Sequence, residues 1–426
     1  MQKNKLSRKI LFTLFTVCVY RVGTYIPVPF IDLSKLADFA SVAKSGIFGM
    51  LNTFSGGSIS RAAIFGLGVM PYITSSIVAQ LVISSFPSLK KLRSEGGDGS
   101  KKIAFWTRAL TLFVGFTQGM VFANSFVSAG LYSNVVSLSV FKLSVAFTMV
   151  VGTSILIWLG DICSKLGIVN GVSLIIFSGI IAEVPSDIAG VLDLARNGSI
   201  TIIDLLFLFI IFATAMSFVV FVERSHRLIY VQYPRQEQSF AMSRRSLPKD
   251  NFIPLKLNTA GIIPPIFASA ILLLPITIVT AFSSSGSSLS RFLATNLVHG
   301  KPFFILCDVI AIVFFSFFYN ITIFDTDEIA ENLRRGNVFI PGCRPGASTA
   351  QLLRSIVLRL SLIGSLYLSI LCLVPELFSG KYGNTFLLGG TSSLIVVGVI
   401  MDAISNVQTS LLPAKYDRSN KRYDKV

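Results

Sequence analysis

Ten apolar stretches, separated by loops that alternate between basic and nearly uncharged, constrain this chain more than any other feature. They lie near residues 10–30, 67–86, 105–130, 143–163, 172–192, 202–222, 258–281, 303–324, 355–378 and 386–408. A helix of about 20 residues crosses a hydrocarbon core of about 30 Å. Lipid offers the backbone no hydrogen-bond partner, so such stretches must satisfy their own amides and carbonyls as helices. The pattern predicts an all-α polytopic membrane protein with ten transmembrane helices. Composition agrees: only 14% of the residues are charged, where a soluble domain carries about a quarter, and the mean hydropathy is +0.72.

The loop charges set the orientation. Lys3, Lys5, Arg8 and Lys9 precede the first stretch, and Lys415, Arg418, Lys421, Arg422 and Lys425 follow the last. Loop 87–104 carries Lys90, Lys91, Arg93, Lys101 and Lys102, loop 223–257 carries seven Lys and Arg, and loop 325–354 carries Arg334, Arg335, Arg344 and Arg354. The intervening loops are poor in both. Basic loops stay on the cytoplasmic side, so both termini are expected there. The net charge of +16 therefore reads as orientation plus docking of large cytoplasmic partners, rRNA among them, and not as a nucleic-acid-binding domain. A cleavable leader is not expected, because the run after Leu11 continues to Phe30 without a small-x-small cleavage pattern.

Catalytic chemistry finds no support. The five cysteines (Cys18, Cys163, Cys307, Cys343, Cys372) lack metal or redox spacing. His226 and His299 fall in loops on opposite sides of the membrane, so they cannot share a metal. No Gly-x4-Gly-Lys phosphate loop occurs. Neither a cofactor nor a metal is expected, and no residue is assigned a catalytic role.

Ala62–Leu81 (AAIFGLGVMPYITSSIVAQL) joins a Gly- and Ser-containing apolar segment to a helix carrying Pro71. Ahead of it, Phe54-Ser55-Gly56-Gly57-Ser58-Ile59-Ser60-Arg61 is too polar and glycine-rich to cross lipid, and irregular backbone at membrane depth survives only inside protein or beside a water cavity. Five further segments stand in order: Asn170-Gly171-Val172-Ser173, Phe221-Val222-Glu223-Arg224, Ala260-Gly261-Ile262-Ile263-Pro264, Pro341-Gly342-Cys343-Arg344-Pro345-Gly346 and Gly389-Gly390-Thr391-Ser392-Ser393-Leu394-Ile395-Val396-Val397. Together they resemble the SecY family, channel subunits of the Sec protein translocase, over nearly the whole chain.

The resemblance implies two pseudo-symmetric, inverted halves of five spans around a central pore: 1–197, including a plug at 52–66, and 198–408 with the loops 223–257 and 325–354, followed by a basic tail, 409–426; the polar, basic composition after Pro413 predicts a mobile end. It implies a pore ring of Val69, Ile73, Val172, Ile176, Ile263, Ile266 and Ile395. Branched aliphatics suit a constriction that excludes water and ions, although an isoleucine on a membrane helix ordinarily faces lipid or a neighbouring helix. Phe54, Gly56, Gly57, Ile59, Arg61 and Ile64 fall in the plug, a short half-helix with the glycine pair as hinge; Arg61 there needs a partner or water. Pro71 and Pro264-Pro265 are expected to bend the two helices facing each other at a lateral gate, with Thr74, Gln118 and Asn258 as a polar cluster across it. Arg244, Arg245, Lys249 and Arg344 correspond to the surface that meets the motor ATPase or the ribosome, although 235–257 is longer and less densely basic than the family's usual loop.

The implied function is a protein-conducting channel that exports unfolded secretory chains across the bacterial plasma membrane and releases hydrophobic segments sideways into lipid. The implied partners are small SecE-like and SecG-like membrane subunits, the SecA ATPase, ribosomes, signal sequences and nascent chains, and membrane lipids. The competing class is an ion-coupled secondary transporter, which also uses inverted halves but places carboxylates at the midplane. The within-span acids here are few: Glu183, Asp187, Asp308 and Asp402.

Overall fold

The computed structural model describes residues 2–36, 39–40, 52–86, 88–89, 97–132, 136–198, 201–232, 251–282, 301–382 and 390–423. Its main helices are α1 (Gln2–Gly23), α2 (Met70–Ser85), α3 (Gly97–Ser128), α4 (Leu138–Leu166), α5 (Gly171–Arg196) and α6 (Ile202–Arg224). After a two-stranded hairpin come α7 (Ile263–Phe282), α8 (Pro302–Ile323), α9 (Thr326–Arg335), α10 (Ala347–Tyr382) and α11 (Gly390–Tyr423). Every apolar stretch coincides with one helix, and α9 is additional. Seven of them, α3 to α6, α8, α10 and α11, are long and apolar enough to cross a membrane. At 16 residues, α2 is shorter than a full crossing. The helix of the last span, α11, runs on to Tyr423.

Helix ends follow local chemistry. Asn170 caps α5 by accepting from the Val172 amide, and Thr201 with Asp204 forms a capping box on α6. The expected proline bends are corrected. Pro71 is the second residue of α2, and Pro264 and Pro265 lie in the first turn of α7. First-turn amides have no intrahelical acceptor, so proline there removes nothing and its fixed φ favours the start of a helix. Prolines in helix interiors are Pro185 in α5, Pro275 in α7, Pro375 in α10 and Pro413 in α11.

Helices α1 to α5 meet the later helices at two seams. On one, α7 packs against α2 and α3; on the other, α5 packs against α11, with α1 also touching α5 and α11. The central apolar cluster draws on α2, α5, α7, α8, α10 and α11. A second, toward the opposite end from the hairpin, joins Ile59, Ala62 and Leu67 to Phe122, Phe126, Phe141 and Met149 of α3 and α4.

The described parts of loops 223–257 and 325–354 carry regular structure that hydropathy does not indicate. Strands β1 (His226–Val231) and β2 (Asn251–Lys256) pair antiparallel, with His226 opposite Lys256 and Val231 opposite Asn251. Helix α9 is capped by the Asp325 carboxylate, which accepts from the Glu328 amide, and it carries acids in its first turn and Arg334 and Arg335 in its last, complementing the helix dipole. Gln232 and Phe339 exchange two backbone hydrogen bonds of 2.9 and 3.1 Å. Ile229, Val231 and Leu255 of the hairpin share a third apolar core with Val338, Ile340, Leu353 and Leu360. The described parts of these two loops thus share one core.

Candidate functional site

The predicted ring residues come from four helices. Val69 is the N-cap of α2 and Ile73 lies one turn on; Val172 and Ile176 share a face of α5; Ile263 and Ile266 begin α7; Ile395 lies in α11. All seven belong to the central apolar cluster, with Val69, Ile73, Ile176 and Ile395 buried and the other three half-buried at its margin. Phe54 and Ile64 of the 52–66 segment join the same cluster. Side chains from α2, α5, α7 and α11 therefore converge in one cluster, with the non-helical segment resting against them.

Segment 52–66 is helical only over 52–54 and then proceeds as consecutive turns, which corrects the expected half-helix. Gly56 and Gly57 have φ of 64° and 77°, left-handed values that end a helix. The Ser55 and Ser58 hydroxyls donate to the Asn52 and Ser55 carbonyls, competing with helical bonding. The Asn52 side chain accepts from the Ser60 amide at 2.9 Å. The chain after α1 pairs with the segment: the Val28 amide donates to Ala62 and the Ile64 amide to Ile26, each at 2.9 Å. Tyr20 donates its hydroxyl to the Ser55 carbonyl at 2.9 Å, and Arg21 donates to the Gly56 carbonyl at 3.3 Å. Buried Ala62, at φ 44°, is in a conformation that costs a non-glycine residue on the order of 1 kcal/mol or more. Ile59 is buried in the second cluster, and the Arg61 guanidinium lies 4.4 Å from the centre of the Tyr25 ring, a cation–π contact.

The three polar residues expected across the gate do not bond to one another. The Thr74 hydroxyl donates to the Met70 carbonyl of its own helix. Asn258, 2% exposed, donates its amide to Glu223 Oε1 at 2.8 Å and to the Gly261 carbonyl at 3.0 Å, while its Oδ1 is buried without a partner. Gln118 is half-buried on α3. The expected inter-helical bonding is thus replaced by a strap between the end of α6 and the start of α7. The Leu257 amide donates to the Ser225 carbonyl at 3.0 Å, extending the hairpin ladder up to this strap. Glu223 stood in a sequence motif but gave no sign of its partner, which lies across the hairpin.

Arg344 is exposed in the turn after Ile340. Gly342 and Gly346 take φ of 85° and 105°, the Cys343 amide donates to the Ile340 carbonyl at 3.1 Å, and the Thr349 hydroxyl donates to the Arg344 carbonyl at 2.9 Å. The guanidinium is held out by a braced turn on the shared core of the two loops. Arg244, Arg245 and Lys249 lie outside the described residues. Two polar pairs were not anticipated. Arg108 of α3 meets Asp161 of α4 at 2.5 Å, and buried Asn320 of α8 donates to Ser361 of α10 at 2.7 Å. Among the described residues no group of three or more potential metal ligands comes together.

Comparison with known proteins places these features in a family. The SecY family model matches residues 63–404. A protein translocase subunit SecY from Rickettsia bellii is 41% identical over 98% of this chain and 96% of its own. Among solved structures, one of SecY described by a plug domain that stabilises the closed translocation channel and maintains a membrane seal superposes with a TM-score of 0.66 at 18% identity, over 96% of this chain and 94% of that one. Sec61 from a canine ribosome–channel complex superposes with a TM-score of 0.63 at 18% identity, over the same shares.

Proposed function

Because this chain belongs to the SecY family, and so is a protein-conducting channel subunit of the bacterial protein translocase and not an enzyme, we propose a residue-level reading of how it conducts and seals. Val69, Ile73, Val172, Ile176, Ile263, Ile266 and Ile395 form the constriction around a passing chain. Segment 52–66, carrying Phe54, Gly56, Gly57, Ile59, Arg61 and Ile64, is the plug against it. The observation that carries this reading is the convergence of all seven aliphatics, from four helices of both halves, into the cluster that Phe54 and Ile64 also enter. A narrow apolar constriction expels water and ions, and separate side chains can part and close around a polypeptide.

The seam of α7 against α2 and α3 is the lateral gate. Residues 1–197 and 198–408 are the two halves, α1, α2 and α7 complete the ten spans, and both termini face the cytoplasm. The body made by the hairpin and the 325–354 loop is the docking face, with Arg344 presented to the motor ATPase SecA and Arg244, Arg245 and Lys249 to SecA or the ribosome. The ribosome-bound state of the canine relative supports the latter. SecE-like and SecG-like subunits cover the remaining apolar flanks.

A stalled secretory chain carrying a crosslinker tests this reading. It is expected to react with both α2 and α7, whereas transport of a small solute without such crosslinks would overturn the reading in favour of a transporter.

A further inference from the structure

The 52–66 segment carries a single charge, Arg61, and α5 brings a carboxylate to it. A Cβ built on Gly57 would stand 2.3 Å from Glu183 Oε1 and 2.8 Å from Arg61 Nη2, so the opposite charges converge over the same glycine. Gly56 rests equally close against α5: a Cβ there would lie 2.8 Å from the Gly179 Cα, and Gly179 is one turn before Glu183, on the same face. The approach is possible only because positions 56, 57 and 179 have no side chain. Arg61 stacks on Tyr25, while its Nη1 is buried without an acceptor. The second arginine nearby, Arg21, donates to the Gly56 backbone.

We propose that Glu183 is a positioning residue, an electrostatic latch on Arg61 that holds segment 52–66 in the closed channel. This rests on the reading of 52–66 as the plug. A contact shifts an equilibrium between two states only if it is stronger in one of them. When the segment leaves the constriction, Arg61 reaches water, and the Glu183 contact with its surroundings of low dielectric is lost, so its attraction acts on the closed state alone. The backbone pairing of Ala62 and Ile64 with the chain after α1 gives the segment a fixed root, which leaves the stretch from Gly56 to Arg61 as the part the latch controls. Glu183 is also one of the four within-span carboxylates that an ion-coupled transporter could use, and its position over Gly57 gives it a sealing role instead.

Resting conductance of the assembled channel in planar bilayers tests the latch, with deletion of Ser55–Ala63 as a control for the plug. Glu183→Gln is expected to raise the leak about tenfold, the factor that ~1.4 kcal/mol of closed-state attraction gives, while Glu183→Asp, which keeps the charge, leaks less. The exchanged pair Glu183→Arg with Arg61→Glu is expected to return the leak toward the parent value, which a purely structural role for Glu183 would not produce. If the deletion leaks while Glu183→Gln stays as tight as the parent, the latch is refuted and the plug reading stands. If the exchanged pair leaks as much as Glu183→Gln, the pairing is refuted. If deletion and substitution are both tight, the plug reading fails and the latch with it.

Discussion

Removing the Asn258 amide should bias the channel toward opening, because that side chain ties the start of α7 to the end of α6. Its bond to the Glu223 carboxylate at 2.8 Å is charge-assisted and contributes about 1.5–3 kcal/mol; the bond to the Gly261 carbonyl at 3.0 Å contributes about 1 kcal/mol. Against these stands the buried, unpartnered Oδ1, whose desolvation costs about 1–3 kcal/mol and disappears with the side chain. The difference for Asn258→Ala is about 1–2 kcal/mol lost from the closed arrangement, a factor of roughly 5–30 in the closed-to-open ratio. Reconstituted vesicles supplied with a precursor whose signal sequence is defective should therefore export it at a measurably higher rate, with channel assembly intact. Glu223→Ala should act in the same direction, Glu223→Gln more weakly because an acceptor remains, and the Asn258→Ala/Glu223→Ala double variant should add little to either single change. Full additivity of the two single effects would refute the strap, since contacting residues that act through one bond are non-additive.

Ile266→Asn or Ile395→Asn should wet the constriction and raise resting ion conductance in single-channel recordings; if both variants remain as tight as the parent and still reject signal-defective precursors, those side chains do not line the pore. Arg344→Glu should leave complex assembly and membrane insertion intact while reducing ATP-driven export in vesicles by about tenfold or more, the scale of an exposed hot-spot charge at an interface; unchanged export would remove its docking role. Single cysteines at Gly97, Gln238 and Asn337 should react with impermeant reagents only from the cytoplasmic side, and labelling of intact cells from outside would overturn the topology.

Hydropathy and charge, read along the chain, were enough to locate ten apolar stretches that all coincide with helices, and the family motifs named ring residues that all enter one apolar cluster. Both properties are local: burial in lipid is decided within about 20 residues, and orientation by the Lys and Arg beside them. Pro71, Pro264 and Pro265 misled the reading in sequence because a proline bends a helix from inside but starts one from its first turn, and only the observed ends at Met70 and Ile263 distinguish the two. The partners of buried polar groups were decided by tertiary structure alone. Asn258 finds Glu223 across a hairpin, Gln232 pairs with Phe339 to join two segments that look independent in sequence, and Glu183 and Arg61 both approach Gly57. Such contacts join residues far apart in the chain, so no periodicity records them; they exist because a buried donor, acceptor or charge must find whatever complement the packed helices bring within reach.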